Sequence, residues 1–123
     1  MIITPDLYDK ISFPDSSIKA ISWDLGNKIM TIKIEGIFIE NVITDQTKEC
    51  LMTLNKWEKF EIFEYSNDKY KKIKISNIDL LKDICESKIT PDYIVLKGFG
   101  KLEGHWTEYH FYKANLKIET LEK

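Results

Sequence analysis

The chain contains no arginine: all 18 basic residues are lysines, set against 20 acidic residues for a net charge of −2. Arginine is the side chain that clamps phosphate through two parallel hydrogen bonds and reads guanine edges. Its absence weighs against a sequence-specific nucleic-acid binder and against a phosphoryl-transfer enzyme. The net charge supplies no basic field to draw nucleic acid in. Cysteine is equally scarce. Cys50 and Cys85 match no metal spacing and are read as two free thiols in a reducing compartment. The two histidines, His105 and His110, are five positions apart. In a regular strand an odd separation sends them to opposite faces, so they do not share a metal ion. There is no Gly-x-Ser-x-Gly elbow, and Gly98-Phe99-Gly100 leads into neither Gly-Lys-Ser/Thr nor a helix. No catalytic residue, metal site or cofactor is therefore expected, and the chain is read as not an enzyme. No apolar run approaches the roughly 18 residues that span a bilayer. The start, Met1 to Asp6, has neither the basic nor the apolar region of a secretory signal. The expectation is a cytoplasmic chain without membrane contact.

What is present is a regular alternation of apolar and polar residues across most of 123 positions, with hydrophobic residues at 43% and charged ones at 31%. That composition suits one folded domain, residues 1–123, rather than a disordered chain. Met1 to Pro14 reads as an irregular lead-in, with Pro5 and Pro14 as breakers and a short helical turn near Leu7, Tyr8 and Ile11. Ser17–Asp24 and Lys28–Glu35 form a hairpin about Gly26-Asn27, a pair suited to a two-residue I′ or II′ turn. With Leu25 facing Lys28, Trp23 lies opposite Met30 and Ile21 opposite Ile32, and all four share one core-facing side. Glu49–Leu54, Lys59–Tyr65 and Tyr70–Ile75 alternate as further strands, with Ser66 to Lys69 as a turn and the lysine-rich third strand as an edge. Ser76 with Asp79 resembles a capping box. Ile78, Leu81, Ile84 and Cys85 recur at helical spacing before Pro91, so one helix of about three turns is expected to cover a side of the sheet. Asp92–Gly100 and His105–Lys113 form a second hairpin. A turn at Glu103-Gly104 would put Leu96 opposite Phe111 and Gly98 opposite Tyr109. Asn115–Glu119 is a last strand. The expected fold is mainly β, an antiparallel sandwich or partly open barrel of six to eight strands with one α-helix.

Alternation splits the aromatic segment near the C-terminus. Trp106, His110 and Tyr112 point one way, Tyr109 and Phe111 the other. One set is core; the other, if exposed, is a binding surface, because large exposed aromatics are rarely idle. Acidic residues supply a second candidate surface: Glu58, Glu61 and Glu64 near one strand, and Asp79, Asp83 and Glu86 on the outer side of the expected helix. In size, composition and its isoleucine- and lysine-rich, AT-rich signature, the chain resembles the immunity proteins of bacterial toxin–immunity pairs, including the contact-dependent growth inhibition type. That resemblance implies a monomer or weak homodimer that binds and neutralises one cognate protein toxin, such as a nuclease with a basic cleft. The residues then expected to meet the partner are Trp57, Glu58, Glu61, Glu64, Asp79, Asp83, Glu86 and Trp106. The alternative is a β-barrel carrier holding a small apolar ligand behind an aromatic mouth.

Overall fold

Two five-stranded antiparallel sheets face each other across one apolar core in the computed structural model, which describes residues 1–13, 15–44 and 48–121. Pro14 lies outside the described residues. The strands are β1 (Ile11–Ser12), β2 (Ser16–Asp24), β3 (Ile29–Ile34), β4 (Phe38–Ile39), β5 (Cys50–Asn55), β6 (Lys59–Ser66), β7 (Lys69–Ile73), β8 (Asp83–Ile84), β9 (Glu86–Ile89), β10 (Tyr93–Phe99), β11 (Trp106–Tyr112) and β12 (Asn115–Thr120). One sheet runs β12-β5-β3-β2-β8 and the other β7-β6-β11-β10-β9; β1 and β4 pair separately. Both large sheets are open, so the expected mainly β, antiparallel architecture holds in its sandwich form and not as a barrel.

The period-2 pattern decides what is buried. Met30, Ile32 and Ile34 on β3 and Met52 and Leu54 on β5 are fully buried, as are Leu96, Tyr109 and Phe111 from the other sheet. Removing each such side chain from water stabilises the fold by about 1.5–3 kcal/mol. The first hairpin has the expected register, Trp23 opposite Met30 and Ile21 opposite Ile32, with Ile21 and Trp23 partly buried against the core. Its turn differs. The loop has four residues, Leu25 to Lys28, closed by Lys28 N–H donating to Leu25 O at 3.2 Å. The left-handed residue is Lys28 at φ 52°, not Gly26 or Asn27. Asp24 accepts from Asn27 N at 3.2 Å and Asn27 Nδ2 at 2.7 Å. Those bonds hold the Asp24 carboxyl below its ordinary range. A four-residue loop built on a type I turn joins the same two partners as a tight turn would, so the register is unchanged.

The helix expected from Ser76 is absent. Ile75–Asn77 is a single 3-10 turn; the chain then runs extended through Leu81 into β8 and β9. An isolated helix of three turns is marginal in water, and here tertiary pairing wins. Ser16 pairs with Ile84 in one sheet, while Lys82 N–H donates to Phe99 O at 3.0 Å and Cys85 N–H to Lys97 O at 2.8 Å in the other. The segment thus crosses between the sheets and closes one side of the core. Two glycines admit it: a Cβ on Gly98 would stand 2.1 Å from Asp83 O, and one on Gly100 would stand 2.3 Å from Asp79 Oδ2.

Asp79 also resets the second hairpin. Its carboxylate accepts the backbone N–H groups of Leu102 and Glu103, both at 2.9 Å, and shapes a four-residue loop, Lys101 to Gly104, that ends on left-handed Gly104 at φ 74°. Leu96 consequently faces Tyr109, Gly98 faces Thr107 and Phe111 faces Ile94. The expected pairing was two residues out. A shift of two leaves every side chain on its own face, so the division into inward and outward sets survives.

The lead-in contributes a 3-10 helix, Pro5–Lys10, and a covering for the β12 edge. Ile3 N–H donates to Ile118 O and Thr120 N–H to Met1 O, each at 2.8 Å. No helix among the described residues is long and apolar enough to cross a membrane.

Candidate functional site

The outward face of the β7-β6-β11-β10-β9 sheet carries most of the large aromatics that the core does not use. Cross-strand register lines up Phe99, Trp106, Tyr65 and Tyr70 in one row over four neighbouring strands. Phe99 is 39% exposed, Tyr65 46% and Tyr70 50%, and Trp106 is half-buried between them. The Phe99 and Trp106 rings meet edge to face, 5.3 Å apart at 78°. The next row runs Glu86, Lys97, Glu108, Phe63 and Lys72 from β9 to β7, with Lys97 ion-paired to both Glu86 and Glu108.

Glu108 is the hub of this face. It is 8% exposed, and its Oε1 accepts the Tyr70 hydroxyl at 2.5 Å and His110 Nε2–H at 2.8 Å. Its Oε2 accepts Trp106 Nε1–H at 3.3 Å and lies 3.9 Å from Lys97 Nζ. Burial alone would raise the carboxyl's pKa. The bonds from Tyr70 and His110, the Lys97 charge and the Trp106 bond outweigh that effect and hold it below the ordinary range. An ionised Glu108 can only accept, so His110 Nε2 donates to it, and Nδ1 faces the Tyr93 hydroxyl. Burial first, then the bond to the Glu108 carboxylate, keeps Tyr70 protonated well above the usual phenol range. A second carboxylate, Glu61, sits 2.9 Å from Lys72 Nζ and 3.6 Å from Lys59 Nζ, and it is hydrogen-bonded to Tyr112, whose pKa burial and that bond push up to about 12. Phe63 stacks on Tyr70 at 5.3 Å and 5°, and meets His110 edge-on at 4.7 Å. Both Glu108 oxygens are thus engaged and the phenols stay neutral. The network fixes ring positions in advance, so little side-chain entropy remains to be lost when this face is covered.

The eight residues expected to meet a partner do not form one surface. Trp106, Glu61 and Glu86 belong to the aromatic face. Glu58 is exposed at the β5–β6 turn, where its N–H donates to Tyr112 O at 2.9 Å. Glu64 points to the other side of its sheet, 2.8 Å from His105 Nδ1. Trp57 is core: it is 5% exposed, with its ring 5.5 Å from Phe60 and 5.4 Å from Phe111. Asp79, 7% exposed, holds the β10–β11 loop. Asp83 is half-buried and accepts Phe99 N–H at 2.9 Å. The acidic helix face that grouped Asp79, Asp83 and Glu86 does not exist. His105 and His110 lie on opposite sides of their sheet, as their odd spacing requires. Cys50 is buried on β5 and Cys85 half-buried after β8, both free. Burial foremost pushes each thiol up to about 12.

Sequence reasoning missed Glu108, Phe63, Tyr65 and Tyr70 as members of this face. The signal was present: Glu61, Phe63 and Tyr65 alternate with buried Phe60 and Ile62, so the outward side of β6 carries two aromatic rings where its inward side carries one. Comparison with family models, characterised proteins and solved structures returned no match.

Proposed function

We propose that this chain is a binding protein that neutralises a protein partner by covering it with the outward face of the β7-β6-β11-β10-β9 sheet, as an immunity protein covers its cognate toxin. The observation that carries the reading is the row of exposed Phe99, Tyr65 and Tyr70 around half-buried Trp106, aligned across four strands. Trp and Tyr anchors ringed by polar groups dominate the energetics of protein–protein contacts. The acidic groups of the face play a lesser part than their number suggests, because Glu61, Glu86 and Glu108 each already face a lysine. Aromatic burial therefore supplies most of the affinity. Raising salt from about 50 to about 300 mM should weaken binding by less than about threefold.

The test is co-purification and calorimetric titration with the product of the adjoining open reading frame. The combined variant Tyr65→Ala, Trp106→Ala should lose about a hundredfold or more in affinity while still unfolding cooperatively on heating. Absence of any complex, or a complex indifferent to both substitutions, would sink the proposal.

A further inference from the structure

A second concavity lies at the end of the sandwich and shares no residue with the aromatic face. It is a cleft of about 680 Å³ between the Pro5–Lys10 3-10 helix, the β9–β10 turn and the β11–β12 connection. That volume is in the range of small-molecule sites. Its floor is apolar, formed by Ile89, Ile94 and Leu116. The helix roofs it because Leu7 and Tyr8 pack on the core and the Tyr8 hydroxyl donates to Leu116 O at 3.2 Å. Burial raises the Tyr8 pKa, so that donor persists through the neutral range.

The rim carries charge of one sign. A 3-10 helix has three residues per turn, so Asp6 and Asp9 stand one above the other, and both line the cleft. Neither carboxylate has a hydrogen-bond or ion-pair partner among the described residues. Both are exposed, so they stand at the mouth of the cleft rather than in its floor. Two carboxylates above an apolar floor offer negative charge and apolar surface within one cleft.

We propose that this cleft binds an organic cation, with an amine or ammonium group held between Asp6 and Asp9 and its apolar body laid on Ile89, Ile94 and Leu116. An anion is opposed by both carboxylates. A bare metal ion would leave the floor unused, and no group of three metal-ligating side chains converges among the described residues.

Three matched probes separate charge from shape: tryptamine, its neutral alcohol analogue tryptophol, and the anion indole-3-propionate. Amide NMR titration should give saturable shifts with tryptamine at Ile89 to Ile94 and Ala114 to Leu116. Tryptophol should bind about tenfold more weakly or worse, and the anion not measurably. The double variant Asp6→Asn, Asp9→Asn should bring tryptamine down to the tryptophol level. Ala114→Phe, which fills the cleft from a different element, should block both. Equal binding of all three probes, or no shifts in the cleft up to about 10 mM, would overturn the proposal. So would a response confined to a lysine-rich peptide, which would assign the cleft to a protein partner instead.

Discussion

Replacing Asp79 by alanine removes one carboxylate and nothing else from the contact between the 79–83 segment and the β10–β11 loop. The backbone latch beside it is untouched, because the Tyr109 hydroxyl donates to Asp79 O at 3.0 Å and accepts Leu81 N–H at 3.2 Å. The substitution deletes two charge-assisted hydrogen bonds, each 2.9 Å, from Leu102 and Glu103. Such bonds contribute about 1.5–3 kcal/mol each when the freed donor stays dry. Leu102 is 83% exposed, so its N–H and that of its neighbour regain water, and the lower end applies. The loss is then about 3 kcal/mol in total. Asp79→Asn retains one acceptor oxygen and should lose about half of that. With a urea slope of about 1.5–2 kcal/mol/M for a domain of this size, the midpoint of Asp79→Ala should fall by about 1–2 M. Hydrogen exchange at the Leu102 and Glu103 amides should accelerate in parallel. A cost below about 0.5 kcal/mol, or unchanged exchange at those two amides, would refute the claim that this carboxylate sets the loop and the register of β10 on β11.

Gly98, inside β10, and Gly26, inside the first turn, should behave oppositely. Gly98→Ala puts a methyl 2.1 Å from a backbone oxygen and should cost about 3 kcal/mol or more or prevent folding. Gly26→Ala meets nothing closer than 3.4 Å and has no positive φ to strain, so urea unfolding should move by less than about 0.5 kcal/mol. Tyr109→Phe should destabilise by about 1–3 kcal/mol, because it leaves Leu81 N–H and Asp79 O buried without their shared partner; a neutral result would mean that water replaces the hydroxyl. For Glu108 the folded state lowers the pKa. Its contribution is therefore present above the ordinary carboxylate range and is lost as pH falls through the depressed folded value. The stability of Glu108→Gln should accordingly decline less steeply than that of the parent chain between about pH 5 and pH 3, and an identical acid limb would count against the network.

The sequence by itself determined which side chains of each strand share a face. Side-chain direction alternates with a period of two, so Tyr109 and Phe111 stand opposite Trp106, His110 and Tyr112 in any register compatible with that period, while the packing of the two sheets decides that Tyr109 and Phe111 are the inward pair. For the same reason a two-residue error in the second hairpin and a misjudged turn in the first did no harm to that division. Tertiary structure decided what local pattern leaves ambiguous. Ile78, Leu81, Ile84 and Cys85 fit a helix as well as they fit a strand that changes sheets. The choice between them rests on partners far along the chain: Ser16, Lys97 and Phe99 offer backbone hydrogen bonds, and Gly98 and Gly100 offer room. The same distant contacts turned Asp79 and Trp57 from candidate contacts for a partner into supports of the fold. They also brought the β6–β7 hairpin against β11 through β6, so that Tyr65 and Tyr70 extend a row that the Phe99–Trp106 hairpin only begins. Strand order depends on non-local pairing, and no residue window of the sequence contains it.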